Sequence, residues 1–150
     1  MTEISFYQLR GTPLERALPK LVEKIYAHQK RVVILADSEE RLAELNTVLW
    51  TYSPGAFLPH GTKSDGNPED QPIWLTTELE NPNQSNILIV TDESVIDEIQ
   101  QYEKILDFFN GLDADSLQKA RSRWIHYKKQ NLKLTYWEQT ESGSWENKLI

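Results

Sequence analysis

Two uninterrupted apolar runs are the feature that most constrains how this chain can fold. Residues 31–36 have the sequence RVVILA and residues 86–90 have the sequence NILIV. Neither run shows the alternation of apolar and polar side chains that is typical of a half-exposed strand. Runs of this length, rich in β-branched residues, are typical of strands buried on both faces, as in a parallel sheet covered by helices. The pattern therefore predicts an α/β fold.

A strand followed by a helix is predicted at the start of the chain. Residues Ile4–Leu9 are β-branched and aromatic, which favours a strand. Thr12 can cap the following helix, with Pro13 as its first residue, and apolar side chains recur at helical spacing to about Gln29. Pro19 interrupts this pattern and should kink the helix or restart it.

The rest of the chain continues the alternation of strands and helices. The predicted elements are a helix capped by Asp37 or Ser38 and ending at Trp50, a strand at Ile73–Thr77, a short helix at Ser94–Ile99, a helix from Asp113 or Asp115 to about Gln130, and a strand at Leu132–Trp137. Residues Lys104–Phe109 can be a strand or a continuation of the short helix, and the Asn110-Gly111 turn that follows favours a strand. Residues 138–150 are polar and are expected to be loosely held. The sequence thus predicts one domain, residues 1–150, with three layers and a mostly parallel sheet flanked by helices.

This arrangement resembles a Rossmann fold, but the nucleotide-binding loop is missing. The turn after the first strand has one glycine, Gly11, and no G-x-G-x-x-G pattern. Glu39 and Glu40 begin the second helix, where they would repel a phosphate. A nucleotide-binding α/β enzyme that uses Asp92 or His60 is kept as an alternative, although helix capping explains Asp92 and loop packing explains His60 more simply. We expect no enzymatic activity and no cofactor.

Composition excludes several further classes of protein. The net charge of -7, from 23 acidic and 16 basic residues, argues against strong nucleic-acid binding over the whole surface. Cysteine is absent and there are three scattered histidines, so a metal site is not expected. The sequence contains neither a leader pattern nor an apolar stretch of about 18–20 residues, so we expect a soluble, cytoplasmic protein that does not contact a membrane.

Positive charge is concentrated in one segment. Residues 116–137 contain no acidic residue and six basic ones, which are Lys119, Arg121, Arg123, Lys128, Lys129 and Lys133. The segment can be a solvated helix face or a docking site for an acidic partner. Direct binding of single-stranded DNA by the last three lysines and nearby aromatic residues is a third interpretation, which the overall acidity disfavours.

Aromatic residues suggest two candidate contact surfaces. On the last helix, one stripe is expected to face the core and consists of Leu117, Ala120, Trp124 and Tyr127. Arg121 and Lys128 share a face with Trp124, so this face can receive an apolar side chain beside a carboxylate, unless Trp124 is wholly buried. Trp50 and Phe57 are either the edge of the core or a second docking patch.

Several segments resemble one protein family in their order and spacing. They are SFYQL at 5–9, KRVVILA at 30–36, LW at 49–50, FLPH at 57–60, NILIV at 86–90, DSL at 115–117, ARSRW at 120–124 and YK at 127–128. The sequence resembles the chi subunit of the bacterial DNA polymerase III holoenzyme, a component of the clamp-loader complex. The resemblance extends from about residue 4 to residue 137. It implies an α/β fold without nucleotide binding or catalysis, and a role as an adaptor in DNA replication and repair.

The resemblance also implies partners and site residues. Arg121 and Trp124, supported by Lys128 and Lys119, correspond to the positions that bind the acidic, Phe-terminated C-terminal tail of single-stranded DNA-binding protein. Trp50 and Phe57 correspond to the surface that binds the psi subunit or, in competition with it, a repair helicase. The family more familiarly has tyrosine where Trp124 stands, and tryptophan keeps the stacking surface but replaces the hydroxyl with an indole N–H.

Overall fold

The fold is built around the two apolar runs. The computed structural model describes residues 2–53, 55, 57–97 and 99–148. Within the two runs, Val32–Leu35 and Ile87–Val90 form four-residue strands in which every residue is buried. These two strands pair with each other in parallel. The prediction of doubly buried parallel strands is confirmed.

Seven strands form one sheet. In chain order they are β1 (Glu3–Leu9), β2 (Val32–Leu35), β3 (Ile73–Thr76), β4 (Ile87–Val90), β5 (Lys104–Asn110), β6 (Lys133–Gln139) and β7 (Trp145–Asn147). Their order across the sheet is β3-β2-β4-β5-β1-β6-β7. All neighbouring pairs are parallel except β6 and β7, which are antiparallel. The strand predicted at Lys104–Phe109 is confirmed.

Three helices cover the two faces of the sheet. They are α1 (Leu14–Ala27), α2 (Glu39–Thr51) and α3 (Ala114–Lys129), and two 3-10 turns lie at Pro68–Asp70 and Ile99–Gln101. The core cluster that contains the buried side chains of α1 and α2 also contains Val32 and Ile34. The cluster with buried α3 side chains contains Val33 and Leu35 instead. Since successive strand residues face opposite sides, the molecule has three layers, and the predicted three-layer α/β class is confirmed.

Local capping explains where the helices begin. The Ser38 side chain accepts a hydrogen bond from the Arg41 N–H, and the Asp113 side chain accepts one from the Ser116 N–H. The predicted cap at Thr12 is wrong, because Pro13 itself occupies the N-cap position in an extended conformation. Nor does the first helix restart at Pro19, because α1 is continuous from residue 14 to 27 and Pro19 is buried within it. Packing of the apolar face of α1 offsets the missing backbone hydrogen bond.

Two predictions near the chain's polar segments are wrong. The sequence predicts a loosely held tail at residues 138–150, but β6 continues to Gln139, and β7 pairs with it. Residues 149–150 lie outside the described residues. Trp145 anchors this hairpin, with its ring 5.0 Å from that of Tyr7. The short helix predicted at Ser94–Ile99 is absent over residues 94–97. There the Ile96 N–H donates to the Tyr127 hydroxyl oxygen, so it cannot join a helical ladder.

No helix in the part of the chain that the structure describes is both long enough and apolar enough to cross a membrane.

Candidate partner-binding surfaces

A groove between α3 and β6 brings together part of the predicted site. Its volume is about 540 Å³, and it is lined by Gln8, Leu117, Ala120, Arg121, Trp124, Ile125, Tyr136, Glu138 and Lys148. The α3 residues lie one turn apart, so their side chains form one wall, while alternate residues of β6 form the other. Arg121 and Trp124 therefore share one groove, as the sequence predicts.

Trp124 is half-buried and held in a fixed orientation. Its ring packs edge-to-face against Phe6 at a centroid distance of 5.3 Å and against Tyr136 at 5.9 Å. The interpretation of Trp124 as wholly core is wrong, because part of the ring faces the groove. Two aromatic neighbours leave the indole little freedom, so an apolar ligand would not have to order it on binding.

The groove carries one positive charge with no ion-pair partner among the described residues. That charge is Arg121, which is exposed. The Glu138 carboxylate lies in the groove as well, but it accepts a hydrogen bond from Arg10 Nη1 at 2.6 Å. Lys148 lies 3.5 Å from the Glu146 carboxylate. The field inside the groove is therefore set mainly by Arg121, which favours a ligand carboxylate.

Tyr136 forms the polar end of the groove. Its hydroxyl donates to the Gln8 side-chain oxygen. Burial, together with Glu138, raises the pKa of the Tyr136 phenol, and Arg121 lowers it by a smaller amount. The phenol therefore stays neutral at physiological pH, and this end of the groove adds no second negative charge.

The two supporting lysines of the predicted site lie outside this groove. Lys119 is exposed and forms an ion pair with Asp115, one turn earlier on α3, at 3.2 Å. Lys128 is exposed at the C-terminal end of α3. Neither lines the groove, so the structure does not bring the four predicted residues into one pocket. Both can contribute only through longer-range attraction.

One of the six basic residues of the segment 116–137 is buried and belongs neither to a solvated face nor to a docking site. Arg123 is 2% exposed and binds Asp107 through two hydrogen bonds of 2.7 and 2.8 Å. Its Nη1 also donates to the Glu93 carbonyl. Burial raises the pKa of Asp107 to about 6, although Arg123 lowers it. A lone aspartate inside the apolar strand KILDFFN is the signal that could have revealed this pair.

Trp50 and Phe57 form an exposed aromatic patch near the end of α2. The two residues are 54% and 65% exposed, and their ring centroids lie 5.9 Å apart. The interpretation of these residues as core edge is therefore wrong. His60 supports the patch from beneath: it is buried, its ring lies 4.6 Å from that of Trp50, and its Nδ1 donates to the Leu58 carbonyl. Exposed aromatic pairs of this kind are typical of protein interfaces.

The residues of the enzyme alternative have structural roles. The Asp92 carboxylate accepts hydrogen bonds from the Ser94 N–H and hydroxyl, which closes a turn after β4. His60 packs in the loop described above. Among the described residues, no group of three or more histidine, cysteine, aspartate or glutamate side chains is placed to hold a metal ion.

Comparisons with known proteins identify the family. A sequence model described as "DNA polymerase III chi subunit, HolC" matches residues 1–135. A probable DNA polymerase III subunit chi from Rickettsia prowazekii is 32% identical over 150 residues, covering 97% of this chain and 91% of that protein. The DNA polymerase III subunit chi of Haemophilus influenzae is 27% identical over 125 residues, covering 81% of this chain and 85% of that protein. The chain belongs to the chi subunit family of DNA polymerase III and is thus a subunit of a DNA replication complex.

Proposed function

We propose that this chain is a non-enzymatic adaptor that binds the acidic, Phe-terminated C-terminal tail of single-stranded DNA-binding protein in the groove between α3 and β6. The observation that carries the proposal is the placement of Arg121 beside half-buried Trp124 in one groove. A terminal phenylalanine needs an aromatic surface, and its carboxylate needs a cation within a few ångströms. The groove offers both.

The charge distribution supports an acidic ligand. A protein with a net charge of -7 repels an acidic tail over most of its surface. Arg121, Lys128 and Lys129 form no ion pairs within the described residues, and all three lie on α3. Arg10 offsets the Glu138 carboxylate, which would otherwise oppose the tail. The groove therefore combines an unpaired cation with an aromatic surface.

The contact should be weak for one tail and stronger for many. A groove of this size covers only a few residues of a peptide, so we expect a Kd on the order of micromolar that rises with salt. Single strands coated with many copies of the binding protein present many tails. Binding to such coated DNA should therefore be tighter through avidity.

The Trp50–Phe57 patch is proposed as the second contact surface, which binds the psi subunit or a repair helicase. Two adjacent exposed aromatic rings are the observation in its favour. They would bury a large apolar area in a complex, and aromatic residues dominate the binding energy of many interfaces. This placement lets one chain connect coated DNA to the clamp-loader complex.

The test of the tail site is Arg121→Ala, with Lys129→Ala as the matched control. Both side chains are exposed on α3, but only Arg121 lines the groove. Fluorescence anisotropy with a labelled acidic peptide ending in phenylalanine should show at least about a tenfold weaker Kd for Arg121→Ala. Lys129→Ala should change the Kd by about twofold or less. Equal effects of the two variants would reject the groove as the site.

The test of the second surface is Trp50→Ala. This variant should weaken binding of the psi subunit by at least about tenfold and leave peptide affinity unchanged, because the patch and the groove share no residues. Binding can be followed by isothermal titration calorimetry with the psi subunit. Loss of both activities together would mean that the two surfaces are not independent.

A further inference from the structure

The last long strand, β6, has an aromatic residue on each of its two faces. Tyr136 packs in the α3 cluster and lines the groove described above. Trp137 packs in the opposite cluster, beneath α1. There it lines a second groove, of about 620 Å³, between α1 and the β6–β7 hairpin. The same sheet edge thus borders two grooves, one on each face.

Three aromatic rings form the floor of this second groove. Tyr7 stacks on Trp137 with a centroid distance of 6.2 Å and an interplanar angle of 10°. Trp145 packs edge-on against Tyr7 at 5.0 Å. Both tryptophans are half-buried, so part of each ring remains accessible. The Trp137 Nε1 is itself buried and has no hydrogen-bond partner within the described residues.

Three cations of α1 line the wall of the groove. Arg16, Lys20 and Lys24 are spaced four residues apart, so they share one helix face with a rise of about 6 Å between neighbours. All three are exposed, and none forms an ion pair with a described residue. A row of cations without carboxylate partners therefore lies beside the aromatic floor.

The acidic residues of α1 interact elsewhere. Glu15 forms an ion pair with Arg41 of α2, and Glu23 accepts a hydrogen bond from the Tyr52 hydroxyl. The charges of α1 are thus segregated: carboxylates interact with α2 and its C-terminal cap, and cations line the groove. None of the three cations that line the groove is paired with a carboxylate of α1.

Three further charges lie at or beside the groove. Lys104 lines one end, but Glu3 stands opposite it in the register of β1 and β5. The hairpin contributes Glu141, the one carboxylate among the described residues that line the groove. The net charge of the lining, with Glu3 included, therefore remains positive and is set by α1.

We propose that this second groove binds an acidic protein segment that carries large apolar side chains. In an extended segment, alternate residues point to opposite sides and repeat at about 6.6 Å, close to the spacing of the α1 cations. Alternating carboxylates could then pair with the cations while the intervening apolar side chains contact the aromatic floor. A polyphosphate is disfavoured, because it has no apolar group to contact the aromatic floor of the groove. The proposal does not depend on tail binding at Arg121.

The experiment uses the full-length chain with Arg121→Ala, which removes the cation of the first groove. The probe is the peptide acetyl-Glu-Phe-Glu-Leu-Glu-amide, which lacks a C-terminal carboxylate. In two-dimensional ¹H–¹⁵N NMR spectra, the indole N–H signals of Trp137 and Trp145 should shift and saturate, while that of Trp50 should stay in place. Lys20→Glu combined with Lys24→Glu should weaken the peptide at least about tenfold.

The matched control changes the same charge outside the groove. Lys129→Glu combined with Lys133→Glu alters two exposed lysines that do not line it, and should change the Kd by less than about threefold. Unchanged backbone amide spectra establish that each variant is folded. Equal weakening by both pairs, or no saturable shift of Trp137 and Trp145, would overturn the proposal. Tighter binding of an oligothymidylate than of the peptide at these signals would assign the groove to single-stranded nucleic acid and would overturn it too.

Discussion

The two arginines of α3 occupy opposite environments, although they are two residues apart. Arg121 is exposed and faces a groove without a carboxylate partner of its own. Arg123 is buried between α3 and β5, where Asp107 neutralises it. Since neighbouring helix positions are about 100° apart, two residues of separation turn a side chain from solvent to core. A basic segment is therefore not one functional unit. Only the basic side chains on its exposed side can attract a ligand, so the charge of the whole segment overstates that attraction.

Substitution of Arg123, on the buried inner face of α3, should lower the stability of the fold. Substitution of Arg121, on the exposed side of the helix, should weaken peptide binding and leave stability nearly unchanged. Arg123→Ala should lower the free energy of unfolding by about 3–5 kcal/mol, because it leaves the Asp107 carboxylate buried without its partner. Arg121→Ala should lower it by no more than about 0.5 kcal/mol. Urea unfolding followed by circular dichroism measures both values.

A double variant separates charge from packing at the inner face. Replacing Arg123 and Asp107 together by leucine removes both charges and should recover most of the stability lost in Arg123→Ala. If the double variant is as unstable as the single one, the arginine acts through its shape and hydrogen bond to the Glu93 carbonyl and not through its charge.

The layers of the fold can be predicted from the sequence, but the ion-pair partner of an individual charged residue cannot. Val32–Leu35 and Ile87–Val90 could be predicted as buried parallel strands, because burial on both faces leaves a continuous apolar run. Trp145 could not be placed, because one aromatic residue in a polar tail gives no periodic signal, and its contact with Tyr7 spans most of the chain. The pair of Arg123 and Asp107 joins two elements whose relative register is set only by tertiary packing.

The pH dependence of stability provides a further test of the buried pair of Asp107 and Arg123. Burial raises the pKa of Asp107 from its ordinary 3.8 to about 6 in the folded protein. The folded state then binds a proton more readily than the unfolded state, so the contribution of this group to stability is complete below about pH 4 and is lost as the pH rises through 6. The difference in unfolding free energy between the wild type and Asp107→Asn should fall by about 2–3 kcal/mol over that range.

Urea unfolding at intervals between pH 4 and pH 7 measures this difference in unfolding free energy. The contributions of the other carboxylates largely cancel in the difference, because both proteins contain them. If the difference grows as the pH rises, Arg123 outweighs burial and the pKa of Asp107 lies below 3.8.

Tyr127 provides a smaller test of the inner face. Its hydroxyl oxygen accepts a hydrogen bond from the Ile96 N–H at 2.8 Å, and both residues are buried. Tyr127→Phe would leave this N–H buried without a partner and should lower the free energy of unfolding by about 1–2 kcal/mol. Tyr26→Phe, at an exposed position, should have no measurable effect. Hydrogen exchange at the Ile96 amide should become faster in Tyr127→Phe but not in Tyr26→Phe, which would assign the lost stability to this hydrogen bond. Equal exchange rates in the two variants would contradict a stabilising role of the bond.

Lys119 should give the smallest effect, because it is exposed and lies outside the groove. Its ion pair with Asp115 joins two exposed side chains at 3.2 Å, and such pairs contribute about 0.5 kcal/mol or less. Lys119→Ala should therefore leave unfolding unchanged within error and weaken the acidic peptide by about twofold, through long-range attraction that disappears at high salt. Anisotropy titrations at low and high salt measure this. If Lys119→Ala weakens the peptide as strongly as Arg121→Ala, the tail follows the exposed surface of α3 and not the groove, because Arg121 lines the groove and Lys119 does not.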